Sequence, residues 1–192
     1  GKPQLSGEQF GVYIGNMNSK FQLGWSNTFT YKDFSLYFLI NGKIGGKVIS
    51  FTEAELDKLG VSQRTADARL AAENNNDLIW NGKPAMYMPD GNLAPINAYY
   101  QGIGGDVNAT QYVYDATNFR LRELSLGYTF RNLLGASKNV SLSLIARNLF
   151  FIYKDAPVDP DISLSTQNGL GAFEIFNMPS ARSFGISLKA NF

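Results

Sequence analysis

The stretch RSFGISLKANF, residues 182–192, alternates without a break. Phe184, Ile186, Leu188, Ala190 and Phe192 share one face, while Ser183, Gly185, Ser187, Lys189 and Asn191 share the other. One side is wholly apolar and the other small or polar, which is the period of a β-strand with an oily and a wet side. A bulky aromatic residue at this place would be poorly used in a soluble domain, whose last residues usually fray.

The same pattern recurs upstream. FQLGWSNTFTY (21–31) sets Phe21, Leu23, Trp25, Phe29 and Tyr31 against Gln22, Gly24, Ser26, Thr28 and Thr30, with Asn27 as the polar member of the apolar face. FSLYFLING then begins at Phe34, with Leu36, Phe38 and Ile40 in phase. A two-residue hairpin loop at Lys32-Asp33 makes Tyr31 and Phe34 cross-strand neighbours and joins the two apolar faces. Lys-Asp is not a favoured turn pair. RLRELSLGYTF (120–130) places Leu124, Leu126, Tyr128 and Phe130 opposite Glu123, Ser125, Gly127 and Thr129. NVSLSLIARNLF (139–150) places Val140, Leu142, Leu144 and Ala146 opposite Ser141, Ser143, Ile145 and Arg147. These make five strands, with a sixth candidate at GVYIG (11–15). Each of the five has about nine to twelve residues, enough to cross a bilayer when tilted.

Composition narrows the function. The 192 residues carry 17 basic and 16 acidic side chains, so bulk charge argues for no nucleic-acid or anionic-membrane partner. Cysteine is absent, which excludes disulfides and thiolate chemistry, and so is histidine, which excludes the usual general base and Ser-His-Asp hydrolysis. No pair of carboxylates is placed for acid–base work, and an outer-membrane hydrolase would need a nucleophile and base. No apolar run reaches the length of a transmembrane helix, and no signal-peptide pattern opens the chain.

The connections alternate short (32–33), long (46–118), short (131–138) and long (151–181). Alternating strand direction puts both short turns on one side and both long loops on the other, the asymmetry of outer-membrane barrels with short periplasmic turns and long extracellular loops. Phe29, Tyr31, Phe34, Tyr128, Phe130 and Phe192 gather at the short-turn rim as an aromatic girdle would. A soluble sandwich also alternates, but its strands run about five or six residues and seldom gather aromatics at one end. Arg120 and Arg122 share phase with the apolar set. They either meet lipid headgroups at the rim, where a lipid-facing charge costs about 0–1 kcal/mol, or follow a bulge before Leu124.

Within 46–118, Thr52-x-x-Glu55 is a capping-box signature that predicts a helix over 52–60, ending at Gly60. SQRTADARLAAE predicts a second over 62–73, and NNND, PDG and GIGGD read as turn and loop chemistry. GIGGD lacks the continuation of a phosphate loop. Tyr99, Tyr100, Tyr112 and Tyr114 are candidate sugar-stacking residues, or else pack within the loop. Glu123, Arg147 and Lys189 are charges of the inner face, expected to pair with one another, to meet whatever fills the lumen, or to touch substrate. In DAPVDPD, Asp155, Asp159 and Asp161 are oxygen donors of the kind calcium takes, but no EF-hand pattern or glycine turn accompanies them. No cofactor is expected.

NFRLRELSLGYTF (118–130), ARNLFFIYK (146–154), DPDISLSTQNG (159–169) and MPSARSFGISLKANF (178–192) resemble the C-terminal end of SusC/RagA-type TonB-dependent outer-membrane transporters of Bacteroidetes. NTFTYKDFSLYFLINGKIGGKV (27–48) and YVYDATNFRLRE (112–123) are similar as well. The resemblance implies an all-β antiparallel transmembrane barrel of 22 strands, of which this chain supplies five or six with long extracellular loops. It implies import of oligosaccharides or peptides beneath a SusD-like lipoprotein lid, powered by TonB through a plug region that the chain does not show. It also implies that Phe184, Ile186, Leu188 and Phe192 form the signal read by the barrel assembly machinery, and that outer-membrane lipid surrounds the wall. Five or six strands cannot close such a barrel, since the smallest bacterial ones have eight and open edges in lipid are costly. A self-contained carbohydrate-binding β-domain using the loop tyrosines is the alternative.

Overall fold

A computed structural model describes residues 13–88, 91–105, 109–133, 139–162, 164 and 170–191. In chain order the elements are β1 (Phe21–Tyr31), β2 (Phe34–Ile44), β3 (Lys47–Ser50), α1 (Phe51–Lys58), α2 (Gln63–Glu73), β4 (Ile79–Trp80), β5 (Lys83–Tyr87), β6 (Leu93–Pro95), α3 (Ile96–Gly105), β7 (Val113–Asp115), β8 (Asn118–Phe130), β9 (Asn139–Lys154), β10 (Phe173–Glu174) and β11 (Ser183–Asn191). Single 3-10 turns lie at Asn76–Leu78 and Ala109–Tyr112. The candidate strand 11–15 is not one where it is described, since residues 13–15 are irregular; residues 11 and 12 lie outside the described residues, as does Phe192. Two compact units result, one from Val48–Tyr114 and Ser163–Asn177, the other from Asn16–Lys47, Asp115–Ile162 and Met178 onward.

The second unit is an antiparallel sheet in the order β1-β2-β8-β9-β11, five strands among the described residues. The expected hairpin is present: Tyr31 pairs with Phe34 across Lys32-Asp33, and Lys32 takes a left-handed φ of 54° that the tight turn imposes on a residue with a Cβ. Register carries the alternation across every strand. Tyr31, Phe34, Tyr128, Leu142 and Leu188 form one apolar row; Phe29, Leu36, Leu126, Leu144 and Ile186 form the next. On the opposite face, Thr30, Ser35, Gly127, Ser143 and Ser187 lie in register, as do Ser26, Leu39, Glu123, Arg147 and Ser183. The apolar face is open to its surroundings, with Trp25 60%, Phe29 55%, Leu144 53% and Ile186 74% exposed. Aromatic edges meet along it: Phe34 and Tyr128 rings lie 4.6 Å apart, and Tyr128 and Phe130 4.7 Å apart. At the short-turn end, Asp33 accepts from Arg131 Nε at 2.5 Å and its carbonyl accepts from Thr129 N, tying the hairpin to β8.

The first unit holds most of the two long connections. β3 lies between β10 and β7, and β4, β5 and β6 form a second small sheet. β10 runs parallel to β3, with Phe173 opposite Ile49. The helix near 52–60 spans Phe51–Lys58, and its cap is Ser50 rather than Thr52: Ser50 Oγ accepts from Glu53 N at 3.1 Å. Thr52 is occupied elsewhere, its hydroxyl donating to Glu174 Oε1 at 2.8 Å and accepting from Phe176 N at 2.7 Å. The second helix spans Gln63–Glu73, capped by Ser62. GIGGD is not plain loop, because Gly102–Gly105 complete α3; Asp106 lies outside the described residues. The glycine has a use there. A Cβ on Gly104 would press on the Ala54 carbonyl oxygen and come within 3.0 Å of Lys58 N, so α3 can pack on α1 only without one.

Gly104→Ala should weaken the α1–α3 packing by about 1–3 kcal/mol, the usual effect of overpacking against atoms that cannot move aside. In the full-length protein, tryptic cleavage after Lys58 should become about tenfold faster or more. Unchanged cleavage there would show that the helices separate at no cost.

Candidate functional site

On β8, the alternation from Tyr128 back to Glu123 matches β2 residue for residue, and then one residue is skipped. Leu39 pairs with Glu123 and Ile40 with Leu121, leaving Arg122 as a bulge. β9 answers with its own irregularity, since Glu123 faces Arg147 but Leu121 faces Phe150. Asn148 in this offset has a left-handed φ of 52°. The extra residue flips the phase. Leu121 joins the apolar face beside Ile40, and Arg120 pairs with Asn41 and Phe151 on the polar one. Of the two readings of these arginines, the bulge is what the structure contains, and Arg120 does not lie on the apolar face.

Arg120 is buried at 2% exposure, which requires partners. Its Nη2 donates to Asp159 Oδ2 at 2.6 Å, and its guanidinium stacks on the Phe151 ring at 3.8 Å. Asp159 also accepts from Ser180 Oγ at 2.5 Å and Ser180 N at 3.2 Å, and its Oδ1 accepts from Asp161 N. Burial works to raise the Asp159 carboxyl, but the bonds from Ser180 and Arg120 outweigh it, leaving it below the ordinary value. Asp161 lies 3.6 Å from Arg120 Nη1, 3.9 Å from Arg122 Nη1 and 2.9 Å from Lys43 Nζ. The loop from β9 to β11 is thus pinned to the polar face by two aspartates.

Beside this anchor, Arg120, Arg122, Glu123, Arg147, Asn148, Asp161, Ile162 and Ser180 line an open pocket of about 480 Å³. Glu123 and Arg147, register partners, form an ion pair at 3.0 Å. Arg122 donates to Asn148 Oδ1 at 3.3 Å, and Asn148 Nδ2 to the Ala181 carbonyl at 3.1 Å. Lys189 lies on the same polar face farther down, opposite Ser141. Sequence reasoning found Glu123 and Arg147 but missed Arg120, Arg122, Asn148 and Ser180 as lining residues. The only signal was the out-of-phase arginine pair itself.

The other candidates fall elsewhere. Asp159 and Asp161 are taken by Arg120 and Lys43, and Asp155 accepts from Asp115 N at 3.2 Å. Among the described residues no three acidic side chains converge as metal ligands. Tyr112 is 1% exposed, so its ring is not offered to a sugar. Its hydroxyl donates to buried Asp57 at 3.0 Å, and Arg64 closes the network with Nε 2.8 Å from Asp57 Oδ1 and Nη2 on Oδ2. Burial and then the bond to Asp57 push the Tyr112 hydroxyl well above the tyrosine range. Tyr99 and Tyr100 remain half-exposed on α3, their rings 5.2 Å apart edge to face, and Tyr114 lies half-buried in β7. Phe184, Ile186 and Leu188 stand on the apolar face of β11.

Asp159→Asn leaves buried Arg120 without its full counter-charge, a loss of about 3–5 kcal/mol for such a pair. In the full-length protein, trypsin should then cut after Lys154 or Arg182 much faster, while Asp33→Asn, at an exposed pair, should not change those sites. Equal cleavage in both variants would sink the anchor. Because the folded carboxyl is held low, its contribution is present above the ordinary carboxylate value and fades as pH falls through the lowered one. Pepsin cleavage between residues 155 and 182 should therefore rise only at pH below about 4; a rise centred near neutrality would contradict the assignment.

Among the described residues no helix is long and apolar enough to cross a membrane. No family model matches the chain. Among curated proteins, 93% of the chain is similar, at 24% identity over 187 residues, to a protein of Formosa agariphila named TonB-dependent receptor P3. The match covers 17% of that relative's length.

Proposed function

We propose that these residues are part of the wall and extracellular vestibule of a TonB-dependent outer-membrane importer of the SusC/RagA type, taking up oligosaccharides or peptides. The observation that carries the reading is the five-strand meander whose one face is apolar and widely exposed while the other is mostly small or polar. A soluble protein seldom leaves so wide an apolar surface uncovered, whereas a barrel wall turns it to lipid. Unpaired outer edges of β1 and β11 among the described residues would be completed by the remaining strands of a 22-stranded barrel. Segments 46–118 and 151–181 are then extracellular loops beneath a SusD-like lipoprotein. TonB acts through a plug region beyond these residues, and the barrel assembly machinery reads Phe184, Ile186, Leu188 and Phe192. Tyr99, Tyr100 and Tyr114, all half-exposed, are the tyrosines of this reading that would touch substrate. The work is binding and gated passage rather than catalysis, and the similar protein is itself named a receptor.

An antibody against residues 52–73 should detect, in the outer-membrane fraction, a band several times larger than 21.2 kDa. A band near that mass would overturn the reading. Leu126→Arg, on the apolar face, should cost about 2–4 kcal/mol in lipid and lower outer-membrane levels, while Ser125→Arg on the other face should be tolerated. Equal loss from both would contradict a lipid-facing row. Deleting Phe192 should sharply reduce outer-membrane insertion; unchanged levels would remove it from the insertion signal.

A further inference from the structure

We propose that the pocket beside the β8 bulge is an oxyanion-binding subsite, reading a carboxylate or sulfate group on the solute that passes the polar face. The proposal rests on the importer reading above and names the chemistry of its cargo.

Four cations, Arg120, Arg122, Arg147 and Lys43, are engaged there by three carboxylates, Asp159, Asp161 and Glu123. Asp161 alone is shared by three of the cations, at distances of 2.9, 3.6 and 3.9 Å. The excess is positive and its donors are unspent. Arg120 Nη1 is buried and has no hydrogen-bond acceptor among the described residues, since the Asp161 oxygen at 3.6 Å is out of bonding reach. A guanidinium carries five N–H donors. Among the described residues Arg147 gives only Nε, to Glu123, and Arg122 only Nη1, to Asn148. Their side chains are 59% and 42% exposed at the pocket.

The local backbone serves this presentation. The bulge at Arg122 brings an out-of-phase side chain onto the polar face, and left-handed Asn148 receives it with its amide oxygen while its amide nitrogen holds the Ala181 carbonyl. Fork-shaped guanidinium donors match the paired oxygens of carboxylate and sulfate. Glu123, Asp161 and Ser180 leave acceptors in the same lining for neighbouring hydroxyl or N–H groups of the solute. A volume of about 480 Å³ is within the usual range of small-ligand pockets.

The test is arginine modification by phenylglyoxal on the full-length receptor in detergent, read residue by residue by mass spectrometry. Sodium sulfate, sodium glucuronate and sodium chloride are compared at one ionic strength, with glucose as the neutral control. Sulfate or glucuronate should slow modification of Arg122 and Arg147 several-fold relative to chloride, and Arg131, outside the pocket, should be unaffected. Protection by sulfate alone assigns a sulfate ester, and by glucuronate alone a carboxylate. Equal slowing at Arg131, equal protection by glucose, or no protection would each overturn the subsite. Localisation is read separately, so an outer-membrane receptor with unprotected arginines overturns the anion site and leaves the importer reading standing.

Discussion

A β-strand can hold its apolar side chains to one face only while its phase is kept. β8 keeps phase with β2 from Tyr128 to Glu123 and then takes in one extra residue at Arg122. Without that insertion Arg120 would stand in phase with the apolar rows, on the face away from Asp159. With it, the guanidinium reaches Asp159, stacks on Phe151 and becomes the post to which the loop from β9 to β11 is tied. The loop anchor and the pocket both depend on that offset.

The other unit solves a related problem by different means. Two helices and a 3-10 turn converge on Asp57, fully buried, and a carboxylate there is tolerable only because Arg64 grips both oxygens and Tyr112 adds a third donor. Glu174, buried with no cationic partner among the described residues, is held instead by the hydroxyls of Ser50 and Thr52 and by Asn177 N. These polar knots explain how a segment with few large apolar residues inside it takes a defined shape.

How much of this was readable in advance varies with the range of the interaction. The period of two in residues 21–31, 34–42 and 139–150 is local, and it yielded the strands, the Lys32-Asp33 turn and both faces. The cap of α1 was misread because Ser50 and Thr52 are equally good capping residues on paper. The choice was made by Glu174, which lies 122 residues from Thr52 and engages its hydroxyl. Likewise Arg120 looked like a misplaced charge because its partner lies 39 residues downstream. For Tyr112 the sequence leaves sugar stacking and packing within the loop both open, and its bond to Asp57, 55 residues away, decides for packing. Gly102–Gly105 read as loop since glycine is a poor helix former, and the packing against Ala54 that requires Gly104 is invisible to propensity.

The order of strands also sets the order in which the sheet can assemble. β1 with β2 is joined by two residues, and β8 with β9 by the eight residues 131–138, so each hairpin closes at small entropic cost. β2 against β8 is different: Lys43 meets Asn118 across the whole of the first long connection, and Ser183 meets Arg147 across the second. Each of these seams must wait for a large loop to close, and contacts of that separation form slowly. Asp33, bonded to both Thr129 and Arg131, acts at the far end of the first seam from its loop. It works as a clasp, holding two finished hairpins in register while the long segment between them is still finding its place.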